Sequence, residues 1–126
     1  IVNVSSISGL RAGTGRMAYG TSKAALIAMT RQFAIESGTL GITVNAIAPG
    51  AIDTPLAEAN HRSETRAAYG RMVPMRRYGA TDEVADGIVF LCSEQASYIT
   101  GQTLAIDGGF VAAGMLVDTL FDRAPG

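Results

Sequence analysis

The chain carries one cysteine, one histidine and no tryptophan. With Cys92 alone no internal disulfide can form, and with His61 as the single histidine the Cys/His clusters of structural zinc sites are excluded. Cations are not in excess: 10 Lys and Arg stand against 11 Asp and Glu, a formal charge of -1. That balance excludes the basic footprint of a nucleic-acid or anionic-membrane binder. Long apolar runs are missing too. Stretches such as Ile88 to Cys92 fall far short of the ~18 residues needed to cross a bilayer, and no signal peptide is visible. These absences imply a soluble, cytoplasmic protein with no membrane, nucleic-acid or metal partner.

What is present has globular composition. The 126 residues, 48% hydrophobic and 17% charged, make one small domain or part of one. Two details point to a part. The chain opens inside an apolar run, Ile1-Val2-Asn3-Val4, which reads as a buried strand. Its mean hydropathy of +0.23 is high for a small domain, which has little interior.

Along the chain, Ile1 to Val4 predicts a short strand of the kind found in parallel sheets. Ser5 to Gly15 is rich in serine and glycine and reads as a loop. From Met17 to Ser37 there is no proline, and Leu26, Met29, Thr30 and Phe33 recur at helical spacing, which predicts a long helix. On that pattern Ile27, Arg31 and Ala34 fall on its outer face. Ile42 to Ala48 predicts a second strand, stopped by Pro49-Gly50. Residues 54–75 are less regular; within them Glu58 to Arg71 predicts one or two exposed helices, and Pro74 closes the segment. Thr81-Asp82-Glu83 is a helix start, with Thr81 as the cap candidate, and that helix runs to about Ser93. Thr103 to Ile106 predicts a third strand, followed by Asp107-Gly108-Gly109 and a tail that is rich in apolar residues. Strands alternating with helices imply βαβ crossovers and a parallel sheet. Three strands with helices form half of a doubly wound α/β domain rather than a whole one.

One pair of residues carries chemistry. Of the ten cations nine are arginine, and the lone lysine, Lys23, lies four residues after Tyr19. On a helix the two share a face. A cation beside a phenol favours its ionised form, so such a pair suits proton transfer. Ser6 lies thirteen residues upstream, just past the first strand, where its hydroxyl could hold a carbonyl oxygen before the tyrosine. On spacing alone the bland reading, a solvated lysine and a core tyrosine, outweighs the catalytic one. Gly13-Thr14-Gly15-Arg16-Met17-Ala18 also fits a dinucleotide fingerprint in form. A working fingerprint turns directly from its strand, whereas eight residues separate Val4 from Gly13 here, so a flexible loop is the better reading. Cys92 reads as a small buried residue without a histidine partner, and His61 as solvent-facing, with substrate contact as its second reading.

The residues around the pair decide between the readings. Tyr19-Gly20-Thr21-Ser22-Lys23 resembles the Tyr-x-x-x-Lys segment of the short-chain dehydrogenase/reductase family, and Asn3-Val4-Ser5-Ser6 resembles its strand ending in the catalytic serine. Gly41 to Gly50, Tyr98 to Gln102 and Asp107 to Gly109 resemble further segments of that family, in order, over about residues 1–110. The resemblance implies the C-terminal half of a Rossmann-like domain (1–110), with 54–75 as a substrate lid and 111–126 as a tail. It implies NAD or NADP as cofactor and hydride transfer between an alcohol and a carbonyl. Tyr19 would be the general acid/base, Lys23 its cationic neighbour at the nicotinamide ribose, and Ser6 the group that orients the substrate oxygen. Pro49 and Gly50 would lie beside the nicotinamide, with Ile52 and Thr54 at its carboxamide. A homo-oligomer, dimer or tetramer, is implied by analogy. The family's glycine-rich phosphate turn, its NAD/NADP selector and its catalytic asparagine have no counterpart in these residues. That leaves a second reading: a non-catalytic fragment that lacks the phosphate-binding half and self-associates or binds a partner, the missing half being one such partner.

Overall fold

Three segments dense in small and β-branched residues pair into the sheet of this protein. A computed structural model describes residues 1–116. In it β1 (Val2–Val4), β2 (Asn45–Pro49) and β3 (Thr103–Ile106) form a parallel sheet in the order β1-β2-β3. Val4 sits opposite Ile47, and Ile47 in turn opposite Leu104. The crossovers carry α1 (Met17–Ser37) between β1 and β2 and α4 (Thr81–Cys92) between β2 and β3. Two further helices, α2 (Pro55–Asn60) and α3 (Ser63–Met72), occupy the excursion after β2.

The two long helices cover opposite faces, because successive strand residues point to opposite sides. Val2, Ile47 and Ile106 face α4, where Leu91 and Ala96 complete the core with Val84, Ile88 and Ile99. Asn3 faces α1, and its Nδ2 donates to the Thr30 hydroxyl at 2.9 Å. The buried Thr30 hydroxyl in turn donates to the Leu26 carbonyl at 2.8 Å, so its polar group is satisfied.

Several expectations shift by a few residues. The strand expected at 42–48 is Asn45–Pro49. Val44 is buried but bonds the Thr100 side chain rather than a strand. Pro49 joins the last rung opposite Ile106, where no N–H is required of it. On α1 the buried face is Ile27, Thr30 and Ala34, while Met29 and Phe33 are 43% and 49% exposed. Apolar and polar residues are mixed round the helix rather than segregated to two sides, so periodicity could not choose the face. Helix α4 is capped from Ala80, one residue before the expected Thr81, with the Glu83 carboxylate accepting the Ala80 N–H at 2.7 Å. Cys92, expected in the core, is exposed at the end of α4. Of the apolar tail, Met115 is exposed; Val117, Leu120 and Phe121 lie outside the described residues.

Candidate active site

The end of β1 and the start of α1 are locked together. Ser5 donates its N–H to the Ile47 carbonyl at 2.8 Å and its hydroxyl to the Lys23 carbonyl at 2.9 Å. Ser6, extended and buried, opens a single 3-10 turn (Ile7–Gly9), and its Oγ accepts the Ser8 N–H at 3.1 Å. That turn lies directly against α1. A Cβ on Gly9 would fall 2.8 Å from the Lys23 carbonyl carbon, and one on Gly20 would fall 2.9 Å from the Ser8 oxygen. Any side chain at either glycine would push the Ser6 turn away from the helix that bears Tyr19 and Lys23.

On α1, one helical turn separates Tyr19 from Lys23. The Lys23 ammonium donates to the Val4 carbonyl at 3.1 Å and lies 5.7 Å from the Tyr19 ring centroid. It is thereby fixed at the carboxyl end of β1. The Arg16 guanidinium sits 5.4 Å from the same ring, and Tyr19 is 43% exposed. Ser6, Tyr19 and Lys23 therefore gather where β1 ends. Pro49 and Gly50 end β2, the neighbouring strand, and Gly50 donates to the Ile106 carbonyl at 2.9 Å. Ile52 pairs with Gly79 in an isolated parallel bridge. Thr54 caps α2, its hydroxyl oxygen accepting the Ala57 N–H at 3.0 Å. The whole set lies beyond the carboxyl ends of parallel strands, where open α/β sheets place their ligands.

Sequence reasoning missed a cleft that adjoins this set through Arg16. The cleft, of about 370 Å³, opens between the Ser6–Tyr19 loop and the 54–75 segment, with Arg11, Arg16, His61 and Tyr69 among its walls. His61 is not simply solvent-facing. Its Nδ1 lies 3.0 Å from the Tyr78 hydroxyl, and its ring stacks on Tyr69 at 5.6 Å. Tyr69 also meets Tyr78 and Phe110, and Arg66 lies 4.5 Å over Tyr78 while holding Asp53 at 2.8 Å. Burial pushes the Tyr78 phenol above its usual range. Arg11 donates to the Phe110 and Ala113 carbonyls and stacks over the Phe110 ring. These residues come from four separate stretches with no shared period, so no window of sequence signals the cluster.

Among the described residues no group of His, Cys, Asp and Glu could hold a metal ion, and no helix is long and apolar enough to cross a membrane.

Known proteins match this arrangement. A family profile described as Enoyl-(Acyl carrier protein) reductase matches residues 1–111. The chain is 45% identical over 111 residues to the 3-oxoacyl-[acyl-carrier-protein] reductase of Thermotoga maritima, covering 88% of this chain and 45% of the relative. It is 44% identical over 109 residues to nodulation protein G of Azospirillum brasilense, covering 86% and 44%. Among solved structures, a 4-hydroxyisoleucine dehydrogenase mutant complexed with NADH and succinate superposes with a TM-score of 0.86 at 39% identity, over 91% of this chain and 48% of that one. A 3-oxoacyl-[acyl-carrier protein] reductase from Brucella melitensis superposes at 0.84 and 39%, over 90% and 42%. The chain thus spans about half the length of the curated relatives it matches. With its parallel α/β sheet, its Tyr19–Lys23 helix and a profile match over nearly its whole length, the chain belongs to the short-chain dehydrogenase/reductase family.

Proposed function

We propose that this chain is the catalytic half of an NAD(P)-dependent oxidoreductase that interconverts an alcohol and a carbonyl. The observation that carries the reading is Lys23, tied to the Val4 carbonyl at 3.1 Å and standing 5.7 Å from the Tyr19 ring beside the Ser6 turn. A purely solvated lysine would not be tethered at the end of a strand next to a half-exposed tyrosine.

The donor set suits the nicotinamide end of a dinucleotide. Lys23 spends one of its three N–H donors on Val4, and Thr54 accepts from Ala57 while retaining its own hydroxyl proton. Those groups, with Pro49, Gly50 and Ile52, would hold the nicotinamide, its carboxamide and its ribose. When bound, the cofactor supplies or accepts the hydride. The chain's own residues do the rest. The Ser6 hydroxyl donates a hydrogen bond to the substrate oxygen. Tyr19 gives its phenolic proton to that oxygen during reduction and takes it back during oxidation. The Lys23 charge stabilises the phenolate left behind. Residues 54–75 act as the lid that keeps water from the reacting carbon. The exposed apolar Met29, Phe33 and Ile35 on α1 support assembly into a homo-oligomer.

The experiment is Tyr19→Phe in the full-length protein, read by NAD(P)H absorbance with a carbonyl substrate. The expected loss is about 10²- to 10⁴-fold in kcat, the usual worth of a positioned proton donor. Retained activity would sink the mechanism. Titration of the 126-residue chain itself with NADH and NADPH tests the fragment reading, which predicts no tight binding.

A further inference from the structure

The cleft between the 7–16 loop and residues 60–72 carries two arginines and no carboxylate on its walls, and one of them, Arg16, reaches the Tyr19 ring. Arg11 and Arg16 stand on its loop wall, with Asn60 and His61 opposite. Elsewhere the protein pairs arginines that lie near acids: Arg66 holds Asp53 and Arg77 holds Glu83. Among the described residues Arg11 and Arg16 hold no carboxylate. Arg11 uses Nη1 for the Phe110 and Ala113 carbonyls, and Arg16 lies against the Tyr19 ring. Guanidinium groups facing a concave, partly apolar wall without a counter-charge raise the local concentration of anions. Their planar fork fits the two oxygens of a carboxylate. Arg16 also sets a distance. Its guanidinium carbon is 5.4 Å from the Tyr19 ring centroid, so a carboxylate held there leaves the reacting carbon only a few bonds away. The volume, about 370 Å³, is near the lower end for ligand pockets and suits a short acid better than a long acyl chain.

We infer that this cleft takes carbonyl or alcohol substrates that also carry a carboxylate, held by Arg16 with Arg11 so that the reacting oxygen meets Tyr19. The carbonyl end of the inference rests on the oxidoreductase reading above; the carboxylate end does not.

The test uses the full-length protein, with NADH or NADPH present, and matched probes: pyruvate, acetoacetate and levulinate against their primary amides. Binding is read by calorimetry and reduction by steady-state kinetics. At least one acid binds about tenfold or more tightly than its amide, the scale of a charge-assisted hydrogen bond. In Arg16→Gln that acid-to-amide ratio collapses toward one, and Arg16→Lys restores part of it. Arg16 is exposed and makes no side-chain cap bond on α1, so its replacement spares the helix. Equal binding of acid and amide, no binding of any acid, or an Arg16→Gln loss shared equally by both series would overturn the inference. Acids bound through Arg16 but never reduced would uphold the anion site and sink the oxidoreductase reading. Probes reduced without acid preference would do the reverse.

Discussion

Replacing Gly50 by alanine tests how tightly the end of β2 is built. The new Cβ would lie 2.8 Å from both the Cα and the Cβ of Asp107, about 0.6 Å inside the distance of ordinary contact. Neither side can easily retreat. Gly50 donates its N–H to the Ile106 carbonyl at 2.9 Å, one residue before the clash. The Asp107 carboxylate accepts the Gly109 N–H at 2.9 Å and the Val111 N–H at 2.8 Å, which pins the turn after β3. Relief therefore requires β2 and β3 to separate at their carboxyl ends, and overpacking of this kind costs about 1–3 kcal/mol. Urea unfolding of the purified protein reads the cost, with Gly70→Ala as the control. Gly70 lies within α3, and a Cβ there would meet nothing within 4 Å. That change should stabilise by about 0.4–1 kcal/mol through the unfolded chain. Opposite signs for the two substitutions are expected. A Gly50→Ala protein as stable as the parent would refute the close approach of these two turns.

Two further outcomes follow from buried and paired groups. Asn45 is fully buried, donating Nδ2 to the Ile99 carbonyl at 2.7 Å and accepting the Gln102 N–H at 3.0 Å through Oδ1. Asn45→Ala strands both backbone groups, and guanidinium unfolding should show a loss of about 2 kcal/mol or more; a change under about 0.5 kcal/mol, the usual size for a surface substitution, would contradict the network. The Arg77 guanidinium, with help from the Ala80 N–H, holds the Glu83 carboxyl down to about 2, against an ordinary value of 4.5. A carboxylate depressed in the folded state adds stability that is full above its unfolded value and lost as pH falls toward the folded one. Thermal unfolding of Glu83→Gln should therefore lose part of the parent's decline between about pH 4.5 and 2. Identical pH profiles would show the pair to be silent.

How much of this was legible in advance varies by residue. The Tyr19–Lys23 spacing and the Ser6 position were plain, because a motif needs residue types at fixed intervals along one element. α1 was predicted at Met17–Ser37 and lies there, since no proline interrupts it. Its buried face was misplaced because apolar and polar residues are mixed round it, leaving Ile27 and Ala34 inside and Phe33 half outside. Cys92 was expected inside on its apolar neighbours, yet it falls beside buried Leu91 on the outward side of α4. The partners of His61 were illegible. Tyr69 and Tyr78 reach it from 8 and 17 residues away, Phe110 joins Tyr69 from 41 residues away, and nothing local encodes such a meeting.

By itself the sequence determined the alternation of strand and helix and the residue types available for proton transfer. Both are local: hydrophobic period, breakers and motif spacing act within a few turns of chain. The tertiary structure decided which groups meet. It set Lys23 on the Val4 carbonyl and closed Gly9 onto α1. It also turned two arginines without carboxylates toward one cleft. Those outcomes depend on how the helices seat on the sheet, and that follows from packing summed over the whole core rather than from any single stretch of residues.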